Sequence, residues 1–165
     1  MVSFAAEHEF DAPPARVAAA MTSAEFVGSL RLPDLEPPEV LGRETGTDGT
    51  RLRYRYRFVG KLDPIARRIL GNDRISWVQE VRIDNANERG SLSVIADAQP
   101  ERLRFSGDYR LEATPAGGTV RSLNGDFSIK VPVIGRRAEN HVLPGLLRRI
   151  DLEADAMRDW LAATA

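Results

Sequence analysis

The chain contains no cysteine, which removes disulfides, thiolate nucleophiles and sulfur-ligated metals from consideration. Lysine is almost missing as well. Apart from Lys61 and Lys130 every basic residue is arginine, a bias that, with abundant alanine, suggests a GC-rich bacterial genome. The two histidines, His8 and His141, form no pair at ligand spacing, so neither a metal nor any other cofactor is expected. Charge of one sign is missing too. With 23 basic and 24 acidic residues mixed along 165 positions, the net charge of −1 supplies no field to attract nucleic acid or an anionic membrane. No apolar run approaches the roughly 20 residues of a membrane span, so no integral membrane segment is expected. The opening Met1-Val2-Ser3-Phe4-Ala5-Ala6 lacks the basic flank and continuous apolar stretch of a secretory signal, and a soluble, cytoplasmic protein is the expectation.

What is there is 42% hydrophobic residues, enough for a sizeable core in one domain spanning residues 1–165. The longest pattern comes last. Between Pro132 and Ala163, the residues Ile134, Ala138, Val142, Leu146, Ile150, Met157 and Leu161 recur at helical spacing. Arg136, Arg137, Arg148, Arg149, Asp155, Arg158 and Asp159 fall mostly between them, which predicts one long helix with a buried stripe and a charged back. At about 1.5 Å per residue it runs roughly 40 Å, and a helix of that length needs an extended partner.

The preceding residues supply a sheet. Ser3 to Phe10 alternates, with Phe4, Ala6, His8 and Phe10 on one face. Asp11-Ala12-Pro13-Pro14 ends that strand, Pro14 opens a short helix to Met21, and Thr22 or Ser23 caps a second one to Leu30. After the proline-punctuated residues 32–38, strands over Glu39–Thr45 and Thr50–Phe58 flank a Gly46-Thr47-Asp48-Gly49 turn. In the second of these, Arg51, Arg53, Arg55 and Arg57 line one face and Leu52, Tyr54, Tyr56 and Phe58 the other. Asp63 caps a short helix from Pro64 that Gly71 ends. Strands resume at Arg74: Ile75, Trp77, Gln79, Val81 and Ile83 share a face, then Leu92, Val94 and Ala96, then Leu103, Phe105, Gly107, Tyr109 and Leu111. In the last strand, Thr119–Val131, Val120 is out of phase with Leu123, Phe127, Ile129 and Val131, which predicts a bulge at residues 122–124.

The order is a strand, two short helices, six strands with one inserted helix, and a long terminal helix, an α+β chain whose antiparallel sheet is covered on one face. This order, the strand-and-helix phrase from Phe4 to Val17 and the ending from Phe127 to Leu161 resemble the START-like (SRPBCC) superfamily, the helix-grip fold of birch-pollen allergens, polyketide cyclases and lipid-transfer domains. The chain looks most like an actinobacterial branch. The resemblance covers nearly the whole chain and is topological. It implies a seven-stranded curved antiparallel sheet wrapped around the long C-terminal helix, with an apolar cavity between them and two short helices after the first strand. It implies no particular ligand, because the superfamily spans binders, transporters, cyclases and chaperone activators.

Five polar residues face inward: His8, Tyr54, Tyr56, Gln79 and Tyr109. A buried hydroxyl or amide without a partner costs about 1–3 kcal/mol, so each bonds either to its neighbours or to a ligand. His8 has three readings: a satisfied core residue, an anchor for a ligand, or an acid/base group. Trp77 and Phe105 suit a cavity wall and a packed core equally. The Arg51–Arg57 row resembles a nucleic-acid surface, but its guanidinium groups and aromatic rings lie on opposite faces, so no base could stack on Tyr56 while the row holds phosphates. It reads as a solvated face pairing with carboxylates such as Glu80. Pro144-Gly145 predicts a kink in the terminal helix, and the capped helix, with Ile65 and Ile69 on one face, is either a lid or a corner.

Three functions are compatible with this. The preferred one is binding of a small hydrophobic or lipid-like molecule between sheet and helix. Phe4, His8, Tyr54, Tyr56 and Trp77 would line that space together with Gln79, Tyr109, Phe127, Val142 and Leu146. The second is a cyclase- or dehydratase-type enzyme in which His8 with Tyr56 or Tyr109 moves protons, although no catalytic motif marks it. The third is a protein-interaction domain with a packed interior and no ligand. Oligomeric state is not legible in the sequence.

Overall fold

A computed structural model describes residues 1–70 and 75–165, without the side chains of 69 and 70. The helix stop expected at Gly71, the resumption of strands at Arg74 and the face taken by Ile69 lie outside the described residues. The elements are β1 (Val2–Phe10), α1 (Pro14–Met21), α2 (Ala24–Ser29), β2 (Glu39–Gly46), β3 (Gly49–Arg57), α3 (Pro64–Leu70), β4 (Ser76–Ile83), β5 (Arg89–Ala96), β6 (Leu103–Ala113), β7 (Thr119–Ile129) and α4 (Gly135–Ala163). The seven strands form one curved antiparallel sheet in the order β1-β7-β6-β5-β4-β3-β2, and α4 lies across it. This is the helix-grip arrangement that the resemblance implied.

Local chemistry sets the element boundaries. Pro14 begins α1, where its missing N–H has no intrahelical partner in any case. Ser23 caps α2 by accepting a hydrogen bond from the Phe26 N–H at 3.1 Å. Asp63 does the same for α3, with the Ala66 N–H at 2.8 Å. The β2–β3 turn needs Gly49, whose φ of 126° is left-handed and whose absent Cβ would lie 2.1 Å from the Ile83 carbonyl oxygen.

Inside, Phe4 stacks on Phe105 at 4.5 Å between ring centres, and Phe127 meets Phe105 edge-on at 6.2 Å. Gly125 makes room for that stack, since a Cβ there would stand 2.8 Å from the Phe4 ring and 2.1 Å from the Ser106 carbonyl oxygen. Outside, the arginine row of β3 pairs as expected with carboxylates: Arg51 with Glu44, Arg53 with Glu80, Arg55 with Asp97 and Arg57 with Glu39.

Two expectations need correcting. No bulge interrupts β7, which pairs residue by residue with β1 from Val2↔Phe127 to Phe10↔Thr119 and with β6 from Leu103↔Ile129 to Ala113↔Thr119. Val120 is out of phase because it lies on the outer face, and the inward position beside it belongs to Arg121. The irregularity is in β2, where the register shifts between Val40 and Gly42. Secondly, α4 starts at Gly135 and not at Pro132. Its 29 residues continue unbroken through Pro144, a length of about 43 Å. Its own Ala138, Ile150, Ala154, Met157 and Leu161 are buried on the side facing the sheet, with Val142 and Leu146 partly so.

The two halves of α4 are held differently. Near its C-terminus, Arg158 donates to the Glu9 carbonyl and Arg16 of α1 reaches the Leu161 carbonyl. Near its N-terminus, His141 meets Asp63 at 2.6 Å, which ties α4 to the start of α3.

Candidate functional site

Beneath the N-terminal half of α4 is a cleft of about 230 Å³. Its floor is the apolar ends of the central strands: Phe58 after β3, Trp77 on β4, Val94 and Ala96 on β5, and Leu103 on β6. One flank is α4, with Val142, Gly145, Leu146 and Arg149; the other is the segment entering α3, with Lys61, Leu62, Asp63 and Ala66. The capped helix therefore borders the opening. Asp63, held by the Ala66 N–H and by His141, has its carboxyl pulled below the usual range by both.

Deeper in, a space of about 20 Å³ shares Trp77, Val94, Leu146 and Arg149 with the cleft. It is lined further by Tyr56, Gln79, Leu92, Phe105, Ile150 and Glu153. That is room for about one water molecule. Its polar groups other than Arg149 are bonded to one another. The Tyr56 hydroxyl donates to Glu153 at 2.5 Å, while the Gln79 amide donates to the Tyr54 hydroxyl at 2.8 Å and lies 3.3 Å from both Glu153 oxygens. Burial pushes the Glu153 carboxyl above its ordinary pKa, against the pull of Tyr56, Arg121 and Gln79. Burial likewise pushes the Tyr54 and Tyr56 phenols well up, and the nearby Glu153 carboxylate adds to it.

A second polar cluster lies under the C-terminal half of α4. His8 and Arg121 are directly opposite each other across β1 and β7. Arg121 is buried, with Phe10 and Tyr109 ring centres each 5.1 Å from its guanidinium carbon. Its Nη2 lies 3.2 Å from His8 Nδ1, and His8 Nε2 lies 2.7 Å from Asp151 of α4. A guanidinium can only donate, so Nδ1 accepts and the proton sits on Nε2, donated to Asp151. Burial lowers the His8 pKa, the Asp151 hydrogen bond opposes this, and Arg121 adds to the lowering.

The ten candidate lining residues therefore divide. Trp77, Val142 and Leu146 border the cleft, and Tyr56 and Gln79 join Trp77 and Leu146 around the inner space. Tyr54 stands behind Gln79, Phe4 and Phe127 pack against Phe105, and Tyr109 and His8 surround Arg121. These last five line neither space. Sequence reasoning missed Arg121, Glu153 and Arg149. Arg149, assigned to the charged back of the helix, instead turns into the cleft, with its guanidinium carbon 5.7 Å from the Phe58 ring centre and 6.0 Å from that of Trp77. Among the described residues no group of three His, Cys, Asp or Glu side chains is placed to hold a metal ion, and no helix is long and apolar enough to cross a membrane.

Residues 5–161 match the family described as "Protein of unknown function (DUF2505)", and the chain belongs to that family. No curated protein matches it. Among solved structures it is similar to TTHA0849 from Thermus thermophilus, with 21% identity, 99% of each chain covered and a TM-score of 0.70. It is also similar to Ara h 8.0201, with 18% identity, 98% of each chain covered and a TM-score of 0.66. The Zhui aromatase/cyclase from Streptomyces sp. R1128 is similar at 16% identity over 98% of this chain and 94% of its own, with a TM-score of 0.63. Likenesses at this level of identity show the fold, which is START-like.

Proposed function

We propose that this protein binds a small apolar molecule in the cleft between α3, the central strands and the N-terminal half of α4. The observation that carries the proposal is the contrast between the two spaces. The interior beneath the middle of α4 is closed to about 20 Å³, whereas the cleft keeps about 230 Å³ against Phe58, Trp77, Val94, Leu103, Val142 and Leu146. A fully packed interaction domain has no need of such a space. The volume is below the roughly 300–1,000 Å³ of drug-sized pockets and equals on the order of eight water volumes, so the ligand is compact or leaves one end in solvent. Burying about eight methylenes at ~0.8 kcal/mol each supplies about 6 kcal/mol before the costs of association. A purely apolar ligand thus binds no tighter than tens of micromolar.

Trp77 is in the wall of the cleft, whereas Trp160 packs on Phe26 at 5.6 Å elsewhere. Titrating the Trp160→Phe protein with fatty acids, sterols and aromatic polyketides should give a saturable change in emission that Trp77→Phe abolishes. If no member of the panel saturates either the emission or a native mass spectrum, the binding reading fails.

A second reading, acid–base chemistry on a bound polyketide-like substrate, is favoured by one observation. Glu153, its carboxyl pushed up by burial, shares the inner space with the Tyr56 hydroxyl that it binds. His8 is a poorer candidate for this role, because both its ring nitrogens are engaged and it borders neither space. Turnover of a poly-β-ketone thioester that survives His8→Ala and disappears in Glu153→Gln supports this reading; no turnover by the unmodified protein removes it.

A further inference from the structure

Resting on the binding reading, we propose that the ligand is an amphipathic carboxylate, its apolar body in the cleft and its carboxylate paired with Arg149. Arg149 lines both the cleft and the inner space. A guanidinium carries five N–H donors, and among the described residues Arg149 uses one of them, from Nη1 to the Gly145 carbonyl at 3.2 Å. Its Nε is buried without a partner among those residues. No carboxylate among the described residues forms an ion pair with it, and its other neighbours include the Phe58 and Trp77 rings. A half-buried cation left this incompletely bonded is costly in the empty protein, and burial lowers its pKa accordingly.

Of the acids nearby, Asp34 acts on Arg149 by charge alone, without forming an ion pair with it, and the other two are engaged. Glu153 is held by Tyr56 and Gln79, and Asp63 by His141 and the Ala66 N–H. Lys61, the other cation of the lining, is exposed. A ligand that brings one planar carboxylate would accept from the Nη N–H groups that Arg149 does not give to Gly145, while its apolar remainder meets Leu62, Val94, Leu103, Val142 and Leu146. A neutral ligand leaves the fork without a directly paired carboxylate, and a cationic one is repelled by it. A half-buried cation between the apolar cleft and the inner space thus makes charge, and not shape alone, the basis of selection.

The test uses three probes of one chain length, decanoate, decan-1-ol and decylamine, titrated against the unmodified protein, Arg149→Met and Arg149→Lys by calorimetry and by Trp77 emission. Decanoate should bind the unmodified protein at least about tenfold tighter than decan-1-ol, and decylamine most weakly. In Arg149→Met the advantage of decanoate should vanish while decan-1-ol changes by less than about twofold, and Arg149→Lys should recover part of it. Equal binding of decanoate and decan-1-ol by the unmodified protein overturns the inference and leaves the cleft as a neutral apolar site. The same holds if Arg149→Met weakens both probes equally, which would make Arg149 a wall and not an anchor. If none of the three binds, the cleft reading itself falls and the inference with it. The comparison of probes on the unmodified protein needs no variant to fold.

Discussion

Replacing Tyr56 by phenylalanine tests the polar system at the heart of the fold. The ring is almost fully buried, so Tyr56→Phe keeps the packing against Tyr54 and Trp77 and removes only the hydroxyl that donates to Glu153 at 2.5 Å. Glu153 keeps only the two longer contacts from Gln79, at 3.3 Å. A hydrogen bond to a charged group contributes about 1.5–3 kcal/mol, so a loss of about 2 kcal/mol is expected. For a chain of 165 residues this lowers the melting temperature by about 4–8 °C. Urea unfolding followed by circular dichroism should show a lower midpoint at unchanged slope, since the surface exposed on unfolding is the same. A double-mutant cycle with Glu153→Gln isolates the pair, and a coupling of about 1–2 kcal/mol is expected, because these residues touch. A loss below about 0.5 kcal/mol, or a coupling near zero, would refute the claim that Glu153 depends on Tyr56.

His8 and Glu153 should give opposite pH slopes. The His8 pKa is lowered in the fold, so its contribution is complete above about 6.5 and is lost as pH falls through the lowered value; His8→Gln should flatten that acid-side loss. The Glu153 pKa is raised, so its contribution is complete below about 4.3 and is lost as pH rises through the raised value; Glu153→Gln should remove that decline, and a variant with the unmodified slope would contradict the assignment. Gly145 lies inside α4, where an added Cβ would have the Arg149 Nη1 at 3.6 Å as its nearest neighbour, so Gly145→Ala should raise stability by about 0.5–1 kcal/mol while narrowing the cleft and weakening probe binding. Gly125→Ala should cost about 3 kcal/mol or give insoluble protein, because its Cβ would collide with the Ser106 carbonyl; unfolding curves of the two glycine variants that coincide would count against both arguments.

The sequence made the strands, the caps and the long helix legible because each depends on local pattern. Alternation placed Tyr54 and Tyr56 inside and the arginine row outside, and Ser23 and Asp63 cap as their side chains suggest. What it concealed were charges in apolar positions. Counting back by twos from Ile129 through Phe127 and Leu123 arrives at Arg121 without any bulge, but a rule that treats arginine as an outside residue inserts one there. Glu153 was equally available, three residues after Ile150 and four before Met157 on the buried side of α4. Each is tolerable only because of distant residues: Arg121 has His8 and two rings, and Glu153 has Tyr56 and Gln79. Such long-range compensation has no local signature. The cleft was illegible for a similar reason, since its shape depends on how far the start of α3 stands from α4, and the His141–Asp63 contact that joins them spans 78 positions.

The far border of the sheet bears on association between molecules at high concentration. β2 ends the strand order, with no strand among the described residues pairing on its outer side, and such an edge is a template on which a neighbouring molecule could add a strand. The register shift around Leu41 breaks the regular spacing of those groups, and the exposed Arg43 and Glu44 would have to lose water or find new partners at any such junction. Removing Leu41 to restore regular pairing, together with Arg43→Val and Glu44→Val, should therefore make this rim fibrillate more readily than that of the unmodified protein in a thioflavin assay.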